Sequence, residues 1–350
     1  MSFPEMSIGV SVVLLAVSFG VILAAAELFT NSIEWFGKKL QLAEGAVGSV
    51  LAAVGTALPE TSIAIIAVVS GTKTHDVGVG AILGAPMMLS TLAMFITGLA
   101  VIVFARAGIR KTEMTVDHKV LGRDLRAFFM VYIVAIGASF LPWMHSDNEI
   151  VRYAVRIAIA LFLVGAYVQY VMRTFSGEGG NCADHTPNPL HFHRSAVLPH
   201  LKIVTLQVAV SLVAILIGAK LFVESVTAIS KPLGVSSLVL GLIIAPIATE
   251  LPEKFNSITW VKKKKDTFAL GNISGAMVFQ SSITPAIGIL FTPWALSHDK
   301  SAMASAAIAI LATIIIWAEM TYRKRLSPYS LLIGGFFYAL YPIYVFGIAR

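Results

Sequence analysis

The sequence predicts an all-α integral membrane protein, with ten transmembrane helices arranged as two inverted-topology five-helix repeats. Three observations predict it. Over 350 residues the chain is 57% hydrophobic and only 13% charged, with a mean hydropathy of +0.82, whereas a soluble globular domain carries about 25% charged residues. Ten apolar runs recur along the chain, each near the ~20 residues that a hydrocarbon-spanning helix needs. Finally, a stretch of the first half reappears in the second, and a shift of 193 positions carries Pro59 onto Pro252.

The first run, at roughly 6 to 28, follows "MSFPE". That leader has no basic n-region and no small-residue cleavage pattern, so it reads as a retained helix rather than a signal peptide. Runs at about 45 to 70, 77 to 105, 125 to 143 and 150 to 172 complete a first repeat over 1–175. A polar segment, 176–198, links it to a second repeat over 199–350, with runs near 203 to 226, 236 to 260, 268 to 294, 301 to 320 and 328 to 348. Almost no residues remain for a soluble domain. The single cysteine, Cys182, excludes an intrachain disulfide framework.

The net charge of +7 loses any nucleic-acid meaning once the basic residues are placed. Lys38, Lys39, Arg106, Arg110, Lys111, Lys119, Arg123, Arg126, Arg173, Arg194 and Lys202 fall after odd-numbered spans, as do Lys262 to Lys265 and Arg323 to Arg325. The opposite side has only Lys73, Arg152, Arg156, Lys231, Lys300 and Arg350. By the positive-inside rule the basic loops are cytoplasmic and both termini are non-cytoplasmic. The run "KKKK" is a topology anchor first and an anionic-lipid contact second. A multi-pass protein of the cell (inner) membrane follows, with membrane lipids as neighbours. Trp35, Trp143, Trp260 and Trp294 fall near span ends and read as interfacial residues.

The repeat aligns without a gap from Glu27 to Glu60 onto Lys220 to Glu253. "ELFTNS" meets "KLFVES", Gly48 meets Gly241, Thr56 meets Thr249, and "LPE" meets "LPE". After a two-residue gap "GAILGAPMMLS" (80–90) matches "GNISGAMVFQS" (271–281). Five spans per half is an odd number, so the second half enters the membrane from the opposite side. Secondary transporters use such inverted repeats, with the site near the midplane where helices are interrupted.

Both Pro-Glu pairs lie at such interruptions. Proline removes a backbone donor, so Pro59 and Pro252 should free carbonyls around Gly55 and Thr56, and around Ala248 and Thr249. An unpaired carboxylate at this depth costs several kcal/mol or is protonated. Glu60 and Glu253, brought together by the repeat, would repel unless a cation neutralised both. A hard divalent ion such as Ca²⁺, which takes ~6–8 oxygens, suits two glutamates, carbonyls and the hydroxyls of Thr56 and Thr249; Na⁺ or protons could compete. Close packing of the span 8 glycines would also offer Asn272 and Gln280.

Glu250 stands four residues before Lys254, the favourable order for a helical ion pair. Such a pair would leave a net charge of minus two at the site from Glu60 and Glu253; with Lys254 facing the cavity, a proton-coupled or monovalent mechanism gains. Glu224 and Lys220 also stand four apart, and Glu27 is expected to pair with Lys220 across the repeat. Cys182, His185, His191 and His193 give the linker a His-rich character that raises a metal-sensor reading, although the spacing matches no zinc pattern.

"GTALPE" and "ATELPE", each followed by a G-x-x-x-G-A segment, resemble the two alpha repeats of the calcium:cation antiporter superfamily, the sodium/calcium exchanger type. The resemblance implies ten helices in inverted five-helix repeats, a midplane site from helices 2, 3, 7 and 8, and alternating access by sliding of helices 1 and 6. It implies cation ligation by Glu60 and Glu253, with oxygens from Thr56 and Thr249. The chain departs from the family at Ala57 and Glu250, which replace a serine. It also departs at Ala81, Ala85, Pro86, Leu89, Ala276, Met277 and Gln280 in the "GNxxGSNxFN" segments. Several sodium-site oxygens are thereby missing, which makes cation/proton exchange a rival to a three-sodium stoichiometry.

The sequence therefore points to a secondary active antiporter, not an enzyme, exchanging Ca²⁺ for Na⁺ or H⁺ without a cofactor. The candidate ligands are Glu60, Glu253, Thr56, Thr249, Glu250, Asn272 and Gln280. Antiport of another cation, coupled to H⁺ or Na⁺, is the alternative within this class, and a passive cation channel is the contrasting one. A membrane-embedded hydrolase is disfavoured, since all eight histidines lie in or near loops and no G-x-S-x-G occurs.

Overall fold

A computed structural model describes residues 8–39, 50, 53–69, 75–176, 188–193, 199–234, 239, 242 and 250–347. Among the described residues the chain is all helical, with no strand. The helices are α1 (Ile8–Lys39), α2 (Ala53–Val69), α3 (His75–Met88), α4 (Met94–Arg106), α5 (His118–Ala138) and α6 (Glu149–Ser176). They continue as α7 (Leu201–Leu233), α8 (Leu251–Lys262), α9 (Asp266–Gln280), α10 (Ile283–Phe291), α11 (Lys300–Arg323) and α12 (Pro328–Gly347).

Among the described residues, seven stretches are long and apolar enough to cross a membrane: Ile8–Phe29, His75–Arg106, Glu149–Ser176, Leu201–Ser230, Asp266–Phe291, Lys300–Arg323 and Pro328–Val345. They account for seven of the ten expected spans. The other three fall on α2, with 17 residues, on α8, with 12, and on α5, whose first turns carry Lys119, Arg123, Asp124 and Arg126.

Local chemistry sets the helix ends. Asp117 caps α5 by accepting from Lys119 N at 2.7 Å, and Asp299 caps α11 by accepting from Ser301 N at 2.8 Å. Pro252 sits in the first turn of α8 behind an N-cap at Glu250, a place where its missing donor costs nothing. It therefore stands at a helix start, and the residues just before Glu250, 243–249, lie outside the described residues. Pro59, by contrast, lies inside α2, so the Gly55 carbonyl loses its helical donor.

The two halves carry matched irregularities. Between α3 and α4 the helix widens into a π turn over Leu89–Ala93, three residues beyond Pro86. The repeat alignment carries Leu89, Ser90 and Thr91 onto Gln280, Ser281 and Ser282, where α9 ends and α10 begins. At the π turn Thr91 Oγ1 donates to the Met87 carbonyl at 2.5 Å, and Ser90 Oγ donates to it at 3.0 Å.

α1 packs chiefly along α7, and α12 packs on α4 and the π turn. Glycines allow both approaches. A Cβ at Gly218 would lie 2.7 Å from Ile22 Cγ1, and one at Gly98 would lie 2.6 Å from the Pro328 carbonyl oxygen. At Gly334 it would collide with the Thr91 backbone. The main core joins α2, α3, α5, α6, α9 and α11 around Phe128, Tyr132, Leu83, Met87 and Met277.

Of the four tryptophans expected at the interface, only Trp143 is exposed, at 59%. Trp35, Trp260 and Trp294 are buried. Trp35 Nε1 donates to the Asn188 carbonyl at 2.8 Å and Trp294 Nε1 to the Ala135 carbonyl at 2.9 Å, so these indoles find protein acceptors rather than headgroups. Asn31 also donates to the Asn188 carbonyl, at 3.1 Å, and its Oδ1 accepts from Gln207 Nε2 at 3.1 Å. The described part of the linker is thus fastened to α1 and α7.

Candidate cation site

α2 is buried almost all round, and Glu60 lies within it at 2% exposure, beside Thr61, Ser62 and Ala57. The Ala57 carbonyl accepts from Thr61 Oγ1 at 2.8 Å and from Gln280 Nε2 at 3.2 Å. The second bond ties α2 to α9 across 223 positions of sequence. Gln280 and Asn272 are both buried, on the same helix. Neither the amide nitrogen nor the amide oxygen of Asn272 has a hydrogen-bond partner among the described residues, and the same holds for Ser281 Oγ. Buried amides and hydroxyls left in this condition are costly, and an oxygen-seeking ion would engage the Asn272 and Ser281 oxygens.

The ion pair read from the spacing of Glu250 and Lys254 is present. Lys254 Nζ lies 3.2 Å from Glu250 Oε2, with both side chains no more than 5% exposed. Glu253 follows Pro252 in α8, but its side chain, like that of Thr56, lies outside the described residues, as does all of Thr249. The expected pairing of Glu27 with Lys220 does not form. Glu27 is 74% exposed on its side chain and its Oε1 lies 3.7 Å from His191 Nε2, while Lys220 is exposed on α7. Cys182 and His185 of the linker lie outside the described residues.

Two buried ionic centres were not read from the sequence. Arg110 and Asp266 form a bidentate pair, Nη1 to Oδ1 at 2.5 Å and Nη2 to Oδ2 at 2.8 Å. The guanidinium also donates to the carbonyls of Val261 and Glu113, and Thr115 N donates to Asp266 Oδ2. Every face of both groups is thus engaged. Asp124 accepts from Arg123 Nε at 3.2 Å, from Tyr170 Oη at 3.0 Å and from Ser274 Oγ at 2.7 Å. The spacing of Leu121, Asp124, Leu125 and Phe128 is the signal that could have found it, since i, i+3, i+4 and i+7 share one helix face, and the other three are fully buried.

The positions where the resemblance implies further oxygens are buried and apolar. Ala81, Ala85, Leu89, Ala276 and Met277 are all at most 2% exposed. They contribute packing and no ligand.

Comparison with known proteins agrees with this architecture. A family described as sodium/calcium exchanger protein matches residues 10–175 and 203–349. The inner membrane protein YrbG of Escherichia coli strain K12 is 27% identical over 310 residues, covering 85% of this chain and 86% of that protein. The crystal structure of the H⁺/Ca²⁺ exchanger CAX superposes with a TM-score of 0.74 at 14% identity, covering 97% of this chain and 83% of that one. The sodium–calcium exchanger NCX_Mj, soaked with Na⁺ and Sr²⁺, gives 0.59 at 17% identity, covering 98% and 100%.

Proposed function

The chain belongs to the sodium/calcium exchanger protein family, and from that premise we propose that it exchanges Ca²⁺ for H⁺ by alternating access at a midplane site built on Glu60 and Glu253. It is a multi-pass membrane transporter of a cation-exchanger family and not an enzyme. The proposed frame is two inverted five-helix repeats, 1–175 and 199–350, joined by the cytoplasmic linker 176–198, with both termini non-cytoplasmic. In the sequence the basic residues fall mostly after odd-numbered spans, which supports that orientation.

The observation that carries the reading is Glu60, buried inside a helix that runs through Pro59 and is tied through Ala57 to Gln280 of α9. With Lys254 neutralising Glu250, Glu60 and Glu253 bring minus two to the site, the charge of one divalent ion. Thr56, Thr249, Asn272 and Gln280 add oxygens toward the ~6–8 that Ca²⁺ takes, and Glu250 would add a further one. When Ca²⁺ leaves, protons neutralise the same carboxylates, so neither crosses the apolar interior bare. The buried Ala81, Ala85, Leu89 and Met277 favour H⁺ over Na⁺, because a proton needs a carboxylate while Na⁺ needs a cage of oxygens.

The test is ⁴⁵Ca²⁺ uptake into proteoliposomes under an imposed H⁺ gradient and, separately, a Na⁺ gradient, with Glu60→Gln and Glu253→Gln alongside. Uptake driven by the H⁺ gradient and abolished by each substitution is expected. Uptake driven only by Na⁺ would reassign the counter-ion. Flux indifferent to any gradient would make the protein a channel, and no Ca²⁺ flux at all would overturn the cation assignment.

A further inference from the structure

A cavity of about 270 Å³ lies between α5 and α6 at their basic ends, away from the cation site, and three arginines converge on it: Arg123, Arg126 and Arg173. Arg123 is fixed in place. Its guanidinium sits 5.6 Å above the Tyr170 ring and its Nη2 lies 3.1 Å from Asp124 Oδ1. Arg126 and Arg173 are exposed at the rim with Gln169. The nearby carboxylate, Asp124, is already met by three side-chain donors, so the rim carries a surplus of about two positive charges among the described residues.

The surroundings decide what such a cavity holds. Met130 and Ala166 form an apolar wall running from the arginines toward the membrane interior. The outer face of α6 is exposed and apolar, with Leu161 at 66% and Met172 at 57%, as lipid-facing helices are. Guanidinium groups bind phosphate oxygens bidentately. An anion with a phosphate at the rim and hydrocarbon below fits both halves of the cavity; a free phosphate ion would use only one.

We propose that the cavity binds one anionic phospholipid of the basic-side leaflet. Its phosphate lies between Arg126 and Arg173 with Arg123 behind, and an acyl chain runs along Met130 and Ala166. The bound phosphate and Asp124 share Arg123, and Asp124 accepts from Ser274 of α9, the helix that carries Asn272 and Gln280.

The experiment is native mass spectrometry of the full chain in detergent, titrated with phosphatidylglycerol and with phosphatidylcholine of the same acyl composition, each with and without millimolar inorganic phosphate. One phosphatidylglycerol per chain is expected to bind in preference to phosphatidylcholine and to survive added phosphate. Arg126→Gln/Arg173→Gln, two exposed changes that leave Arg123 on Asp124, should weaken it about thirtyfold, the factor that ~1 kcal/mol per basic side chain at an anionic surface implies. Lys263→Gln/Lys264→Gln, an equal loss of charge elsewhere on the basic side, should change it less than about twofold. Equal binding of the two lipids, or equal loss in both double variants, would reduce the site to diffuse attraction and overturn the proposal. Displacement by inorganic phosphate would overturn it in favour of a free-phosphate site.

Discussion

Lys254→Met tests how the charge around the proposed site is balanced. The Lys254–Glu250 pair is buried, with 3.2 Å between Nζ and Oε2. At an effective dielectric of about 20 that separation corresponds to about 5 kcal/mol of attraction, and breaking buried pairs one partner at a time costs roughly 3–5 kcal/mol. The loss has a ceiling, because a carboxylate deprived of the Lys254 ammonium can take up a proton instead. Protonating an ordinary glutamate at pH 7 costs about 4 kcal/mol, and the cost falls by about 1.4 kcal/mol for each unit of pH toward its solution range. Reversible unfolding in mixed micelles should therefore show Lys254→Met destabilised by about 3–4 kcal/mol at pH 7 and by about 1 kcal/mol at pH 5. Glu250→Gln/Lys254→Met, which removes both charges, should recover most of the loss at pH 7. A single variant as stable as the parent at pH 7, or a double variant no better than the single, would refute the idea that Lys254 is there to neutralise Glu250.

Other substitutions probe the frame. Arg110→Ala strands the fully buried Asp266 and should cost about 3–5 kcal/mol, read by the same unfolding assay; Arg110→Lys should recover only part, since a single ammonium cannot reproduce the fork. Gln280→Leu removes the bond to the Ala57 carbonyl, a stability loss of about 0.5–1.5 kcal/mol, and should abolish ⁴⁵Ca²⁺ uptake out of proportion to that loss. Gly334→Val would drive its side chain into the Thr91 backbone; a loss of about 1–3 kcal/mol or failure to accumulate in the membrane is expected, checked by yield and thermal melting.

Much of the fold could be read from the sequence because the membrane imposes long apolar runs that need no partner to be recognised. Seven spans are visible that way, whereas α5 hides its character behind Arg123, Asp124 and Arg126 in its first turns. Local pairs were equally legible: Glu250 and Lys254 are one helical turn apart, and that turn exists. Long-range pairs were not. Arg110 and Asp266 are 156 positions apart, and nothing in either neighbourhood announces the other. The symmetry that aligns Glu27 with Lys220 suggested a contact that α1 and α7 do not make, because matched positions on two helices need not face each other. Three of the four tryptophans near span ends turned inward to backbone carbonyls or the core, a choice that depends on neighbours distant in sequence.

The bidentate Arg110–Asp266 clamp joins the loop after α4 to the start of α9, and so rivets the two halves together at their basic end. At a second place α12 is locked onto the π turn and α4 by the glycines that let it approach. α1 and α7 lean mainly on one another. A machine fastened this way has little freedom to open like a clam, since that would tear a saturated ion pair out of a dry interior. Under the proposed alternating access, the inexpensive displacement would be of a two-helix slab over a stationary block, with residues 188–193 of the linker carried along through Asn188. The work of each cycle would then scale with one thin sliding seam and not with the size of the protein.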